Sequence, residues 1–454
     1  MLKLNYFKSD NRGMPSMIEI KKNFVLAGMI SILSLVIGCT PNFRKDHNVL
    51  IQLLNKSEDS LIQKIYSNKA IHEIQILYTQ IQRDSEGNPN FKEFSYQENP
   101  KRYFYPASTV KLPVAILALE KVRRLQRQGV GITPHSPFKI LDQNHNTISV
   151  LDSTHPDGKL TISHLIKKLF LVSDNQAYNY LFDFLGRDSI NKSLDKKRIY
   201  DFQIFHKFSG STNNNKSPEF VFYSDESKEV YRQPSRAYKI ESKKDDFFGI
   251  HKGKGFMKEG VLVKAPMDFS KKNYVSLSAL NQILKRLVFP NQFPKEESFD
   301  LTFEDYEFIK YWMSRTPPEV DVPFYDRDHY YDSYCKFLMY GDLKGEMSDR
   351  IRIYNKVGLA YGTLTDVAYI KDDLGVEFLL AATVFVNQNQ IFNDGEYEYD
   401  DLGIPFLGAL GRAVYEYEVL KQSCKTQDKS LSTKPTTLIK YPHLKASLKA
   451  LLGQ

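Results

Sequence analysis

The chain has 454 residues, 42% of them hydrophobic and 26% charged, and three cysteines. That excludes a disordered segment or a disulfide-stapled miniprotein and leaves room for one large core or two domains. The formal charge of +8 is spread among many acids without a nucleic-acid-binding motif, so nucleic acid is excluded as a partner.

At the N-terminus, Lys21-Lys22 precede a mostly apolar run from Phe24 to Ile37, and Val36-Ile37-Gly38-Cys39 follows. A basic stretch, a short apolar stretch and a small residue before Cys describe a signal peptide rather than a membrane span. The segment resembles the leader of bacterial lipoproteins, whose cysteine becomes the acylated first residue. That resemblance implies a signal peptide over 1–38, a lipidated Cys39 and a tether over 39–47. It implies a protein of the bacterial cell envelope, anchored to the membrane through Cys39 and facing the periplasm. Cys335 and Cys424 remain. They read as buried free thiols, although an exported compartment permits a disulfide between them.

Apolar residues at Val49, Leu50, Leu53, Leu54, Leu61, Ile62 and Ile65 predict a helix over Asn48 to Asn68. Ile71 to Gln82 reads as a strand with Ile74, Ile76 and Tyr78 on one face. Asp84 to Pro89 is turn chemistry, and Phe91 to Tyr96 returns as a second strand. An apolar helix follows Ser108. Helices are expected over Leu160–Leu171 and Gln176–Leu185. Thr212 to Lys271 is polar and rich in Ser, Asn, Lys and aromatics, and reads as an insertion over a site edge, with the inserted region extending over about 212–345. Strands are expected over Ile351–Lys356, Leu364–Lys371 and Val376–Val386, then a closing helix over Phe406–Leu420. The domain is expected over 48–421, with 422–454 a polar tail and short helix.

Three groups carry chemistry. Ser108-Thr109-Val110-Lys111 sets a hydroxyl and an amine three residues apart, on one face if the segment is helical. Serine is a weak nucleophile unless a base lies within hydrogen-bond reach, and lysine serves as one only when burial or nearby positive charge lowers its pKa. Ser173-Asp174-Asn175 offers a hydroxyl, a carboxyl and an amide between two helices. Lys356-Val357-Gly358 ends a strand-like run.

In this order the groups resemble the S-x-x-K, S-D-N and K-T-G boxes of penicillin-recognising serine enzymes, in particular the class A β-lactamases. The resemblance spans roughly Val49 to Leu420 and implies an α/β fold of the α+β type. Its parts are a five-stranded antiparallel sheet flanked by helices and an all-helical subdomain, with the active site between them. It implies that Ser108 attacks the carbonyl, that Lys111 is or shares the base, and that Ser173 relays protons beside Lys356. Asn175 binds the substrate amide and orients lysine. Gly358 precedes Leu359, whose backbone N–H joins that of Ser108 in an oxyanion hole. Asp174 braces its loop.

Two departures bear on function. Val357 stands where the family carries Thr or Ser. Ser209 stands where the resemblance expects the Glu that activates the deacylating water, while Asn213 keeps the companion Asn that holds it. His206 and Glu219 are the nearest other titratable groups; His206 reads as an ordinary loop histidine and Glu219 as a surface acid. Two functions follow. One is a β-lactam hydrolase working through a Ser108 acyl-enzyme. The other is a penicillin-binding D-alanyl peptidase or esterase that releases β-lactams slowly. A β-lactam or a cell-wall peptide is the implied small-molecule partner. A monomer is expected, without cofactor or metal, since His155, His164 and His251 do not cluster with ligand residues.

Overall fold

The computed structural model describes residues 48–149, 151–208, 215–239, 247–345 and 347–427. Cys39, Ser209 and Asn213 lie outside them, as does the side chain of Cys424.

The expected first helix is two helices, α1 (Val49–Lys56) and α2 (Ser60–Ser67). Asp59 makes the break, because its Oδ1 accepts from the Leu61 and Ile62 amides at 2.9 and 3.1 Å and so starts a new helix. Strands β1 (Gln75–Arg83) and β2 (Pro89–Tyr96) form the hairpin read from the sequence. Strands β3 (Ile351–Ala360), β4 (Thr363–Asp372) and β5 (Glu377–Phe385) complete one antiparallel sheet, in the order β3-β4-β5-β1-β2. The fold is thus α+β with a five-stranded antiparallel sheet.

Alternation along the strands splits the core in two. Ile74, Ile76 and Tyr78 pack with α1, α2 and the C-terminal helix Ile404–Gln427 on one face. Leu77 and Ile81 face the other way, against a large helical core. That core includes α3 (Lys111–Arg127), α4 (Ile162–Leu171), α5 (Asn175–Leu185), α6 (Arg187–Lys196), α7 (Leu277–Val288) and α8 (Phe303–Ser314).

The middle of the chain departs from the all-helical subdomain that the resemblance implies. Between Phe202 and Val275 it forms short two- and three-stranded ladders, among them Glu219–Tyr223 with Glu229–Gln233 and Gly255–Lys258 with Val261–Val263. Glycines and polar pairs interrupt the chain every few residues there, so no helix can propagate. Part of this segment, Met267, Phe269 and Tyr274, packs on Tyr103, Tyr105 and Ala107, just ahead of Ser108. Among the described residues no helix is long and apolar enough to cross a membrane.

Candidate active site

Ser108 sits in a 3-10 turn, Ala107–Val110, that feeds directly into α3. Ala107 holds a left-handed φ of 45°, a costly conformation for a residue with a Cβ, and one that tends to persist where a side chain must be aimed. Lys111, on the first turn of α3, is completely buried. Its Nζ lies 2.9 Å from Ser108 Oγ, 2.7 Å from Asn175 Oδ1 and 3.3 Å from Ser173 Oγ, and donates to the Ser173 carbonyl.

The second group is carried by the junction of α4 and α5. Ser173 has a φ of 57°, again left-handed. Asp174 caps α5 by accepting from the Ala177 amide at 2.7 Å, the bracing role its sequence suggested. Behind it stands Lys168, 3.6 Å from Asp174 Oδ2 and 2.9 Å from the buried Asp152. The chain turns sharply at Ser173 because capped helices leave it on both sides, and both Ser173 and Asn175 meet Lys111.

The third group lies within β3 and not at its end, since the strand runs on to Ala360. Lys356 is buried; its Nζ donates to Ser173 Oγ and to the Val357 carbonyl, both at 2.9 Å. Any Cβ on Gly358 would collide with the Pro106 carbonyl oxygen and come within 3.0 Å of the Thr109 amide nitrogen, so glycine lets the strand press against the nucleophile turn. Leu359 follows at the rim, 37% exposed. Val357 is buried with Ile353 and Leu364 in the core on the opposite face of the sheet, which explains an apolar residue there.

Ser108, Lys111, Ser173, Asn175 and Lys356 are therefore brought together, with Gly358 and Leu359 beside them. The electrostatics suit proton transfer. Burial, and then the neighbouring Lys356 charge, hold the Lys111 amine well below the usual lysine range. Burial lowers Lys356 to about 8. A neutral Lys111 has two N–H groups for Asn175 Oδ1 and the Ser173 carbonyl, leaving its lone pair for the Ser108 proton. Ser173 Oγ stands between the two amines and can pass a proton between them.

His206 and Glu219 are committed elsewhere. His206 Nδ1 donates to the Lys207 carbonyl at 2.7 Å, and Nε2 accepts from the Asn273 amide at 3.3 Å. Burial lowers it to about 4, so it stays neutral with its lone pair in use. Glu219 is no surface acid: it is buried on its strand and paired with Arg232. Phe220 and Phe222 face the helical core from this strand, and Glu219, on the other face, is covered there beside Arg232. Sequence reasoning missed Phe208, whose ring centre lies 5.0 Å from Lys111 Nζ. Its position is fixed by Asn179 on α5, which accepts from the Phe208 amide at 2.8 Å and donates to its carbonyl at 3.4 Å. Among the described residues no group of His, Cys, Asp and Glu is arranged to hold a metal ion.

Comparison with known proteins follows the same lines. Residues 59–233 match the model of the β-lactamase enzyme family. No curated protein matches the chain. Among solved structures, the TLA-3 extended-spectrum β-lactamase is similar at 16% identity, over 80% of this chain and 100% of that one, with a TM-score of 0.45. A representative of class A β-lactamase from Bacteroides cellulosilyticus is similar at 14% identity, over 80% and 97%, with a TM-score of 0.43. A β-lactamase from Sphaerobacter thermophilus gives 15%, 79% and 96%, and 0.43. The matched segment includes Ser108, Lys111, Ser173 and Asn175, and over that segment the chain is similar to the β-lactamase enzyme family.

Proposed function

We propose that the chain is a serine hydrolase that opens β-lactams through an acyl-enzyme on Ser108. The observation that carries this reading is the buried Lys111 amine 2.9 Å from Ser108 Oγ. Lys111 takes the hydroxyl proton as Oγ bonds to the lactam carbonyl carbon. The backbone N–H groups of Ser108 and Leu359 receive the oxyanion. The C–N bond then breaks, and the proton passes from Lys111 through Ser173 to the departing nitrogen. Asn175 holds the substrate amide, and the Lys356 charge attracts its carboxylate. Water then attacks the ester and frees Ser108.

Phe208 favours the second reading for the last step. It puts an apolar ring against Lys111, and His206 and Glu219 are engaged elsewhere, so neither takes the part of the missing deacylating Glu. Release of a β-lactam is then slow, and the natural substrate is a D-alanyl peptide or an ester of the cell envelope. The sequence of the leader supports attachment there through Cys39; incorporation of labelled palmitate should vanish in Cys39→Ala.

Incubation with benzylpenicillin followed by mass spectrometry tests the chemistry. An adduct on the wild type, absent from Ser108→Ala, is the expected result, and its lifetime separates the two readings. An adduct of equal yield on the variant refutes the assignment.

A further inference from the structure

A row of aromatic rings leads away from Lys111. Phe208 lies 6.2 Å from His206, His206 stacks on Tyr105 at 6.3 Å and 7°, and Tyr105 meets Tyr361 edge-on at 4.8 Å. Tyr361 occupies the tight turn between β3 and β4, with Gly362, and both residues have positive φ. At the end of this wall stands Lys272, contributed by the inserted segment. Its Nζ lies 3.4 Å from Tyr361 Oη and 5.4 Å from the centre of that ring. It is half-buried, and among the described residues no carboxylate comes within ion-pair distance of it.

The two ends of the site have different work. Ser173 and Lys356 lie on one side of Ser108, and the departing nitrogen must be there to receive its proton. The acyl part that stays on Ser108 therefore extends the other way along β3, past Gly358 toward Ala360 and Tyr361. A flat group on that part would rest against the partly exposed Tyr361 at the end of the wall. A negative group beyond it would reach Lys272, whose half-buried charge has lost part of its hydration without gaining a counter-ion. Burial and the Lys272 charge together keep His206 neutral, so the wall adds no competing cation.

We infer that Lys272 is a specificity-determining residue that selects acyl groups bearing an anionic substituent beyond a flat apolar one. This rests on the reading of Ser108 as the acylated residue only for the direction in which the acyl part points. The test uses equilibrium binding, so that turnover does not enter. Benzylpenicillin and its para-carboxy derivative, with the carboxylate on the far edge of the phenyl ring, differ by one carboxylate on the acyl side. Each is titrated calorimetrically into the chain carrying Ser108→Ala, alone or combined with Lys272→Met or Lys272→Arg. The carboxylated compound should bind about ten-fold more tightly to Ser108→Ala, the size of one partly desolvated charge-assisted contact. Lys272→Met should erase that ratio and Lys272→Arg should keep it. A ratio unchanged by Lys272→Met, or absent from Ser108→Ala itself, overturns the inference. Failure of the wild type to form an adduct with either compound would instead refute the acyl-enzyme, while the binding ratio would still decide the role of Lys272.

Discussion

Two buried lysines, Lys356 on β3 and Lys336 in the segment just before Phe337, are both lowered to about 8 by burial, yet their surroundings differ. Lys356 looks out from the front of β3 and shares a serine hydroxyl with Lys111. Lys336 lies behind the same strand. Its Nζ donates to the carbonyls of Met313 and Ile353 at 2.6 and 2.9 Å and to Asn355 Oδ1 at 2.8 Å. Asn355 in turn donates to both oxygens of Asp366, which burial raises to about 6. A depressed lysine therefore does not by itself mark chemistry. The partners decide: hydroxyls can exchange a proton with an amine, whereas backbone carbonyls and a fixed amide can only hold it still.

This contrast can be broken by substitution. Lys111→Met should act chiefly on the chemistry, lowering acylation by benzylpenicillin about a thousand-fold, the usual scale of a lost general base, with a lesser loss of stability from the bonds to Asn175 and the Ser173 carbonyl. Single-turnover kinetics measure it, and a wild-type rate would show that another base serves Ser108. Lys336→Met should do the reverse. It strands three buried acceptors and removes the cation nearest Asp366, and should cost about 3 kcal/mol of stability. Urea unfolding reads that loss, while the folded fraction should still be acylated. Equal losses of chemistry in both variants would erase the distinction between front and back.

The pH profile sharpens the same point at smaller amplitude. Lys111 titrates well below the usual lysine range, because burial and then the Lys356 charge disfavour its ammonium form. The Lys356 charge is present below about 8 and is lost as the pH rises through that value. Acylation by a carboxylate-bearing β-lactam should therefore fall on the alkaline side with a midpoint near pH 8. Lys356→Met should remove that limb and lower the plateau by about ten-fold, one positioning charge. A limb that persists in Lys356→Met would belong to another group.

Much of this was legible in the sequence. Period-two alternation at Ile74, Ile76 and Tyr78 gave the strand and its buried face, and box order gave five residues that meet. The rest depended on long-range contacts. Asp59 splits a helix whose apolar spacing alone runs through it. Lys356 appeared to end a strand because Gly358 reads as a breaker, whereas in the sheet it is the residue that permits close approach. Phe208 and Lys272 have no local signature: one is held by Asn179 and the other is met by Tyr361, each from a distant part of the chain. Glu219 looked like any surface carboxylate because nothing in its neighbourhood announces Arg232 on the adjoining strand.

Ser173 has one hydroxyl hydrogen and two lysine neighbours, at 3.3 and 2.9 Å. Whichever amine that hydrogen points toward must be the one with a lone pair to spare, and the other must donate. Charging either amine thus constrains the other through the shared hydroxyl. Followed by nuclear magnetic resonance, neither ammonium would show a simple sigmoid; each curve would carry a trace of the other's step, and the fitted constants would belong to the pair.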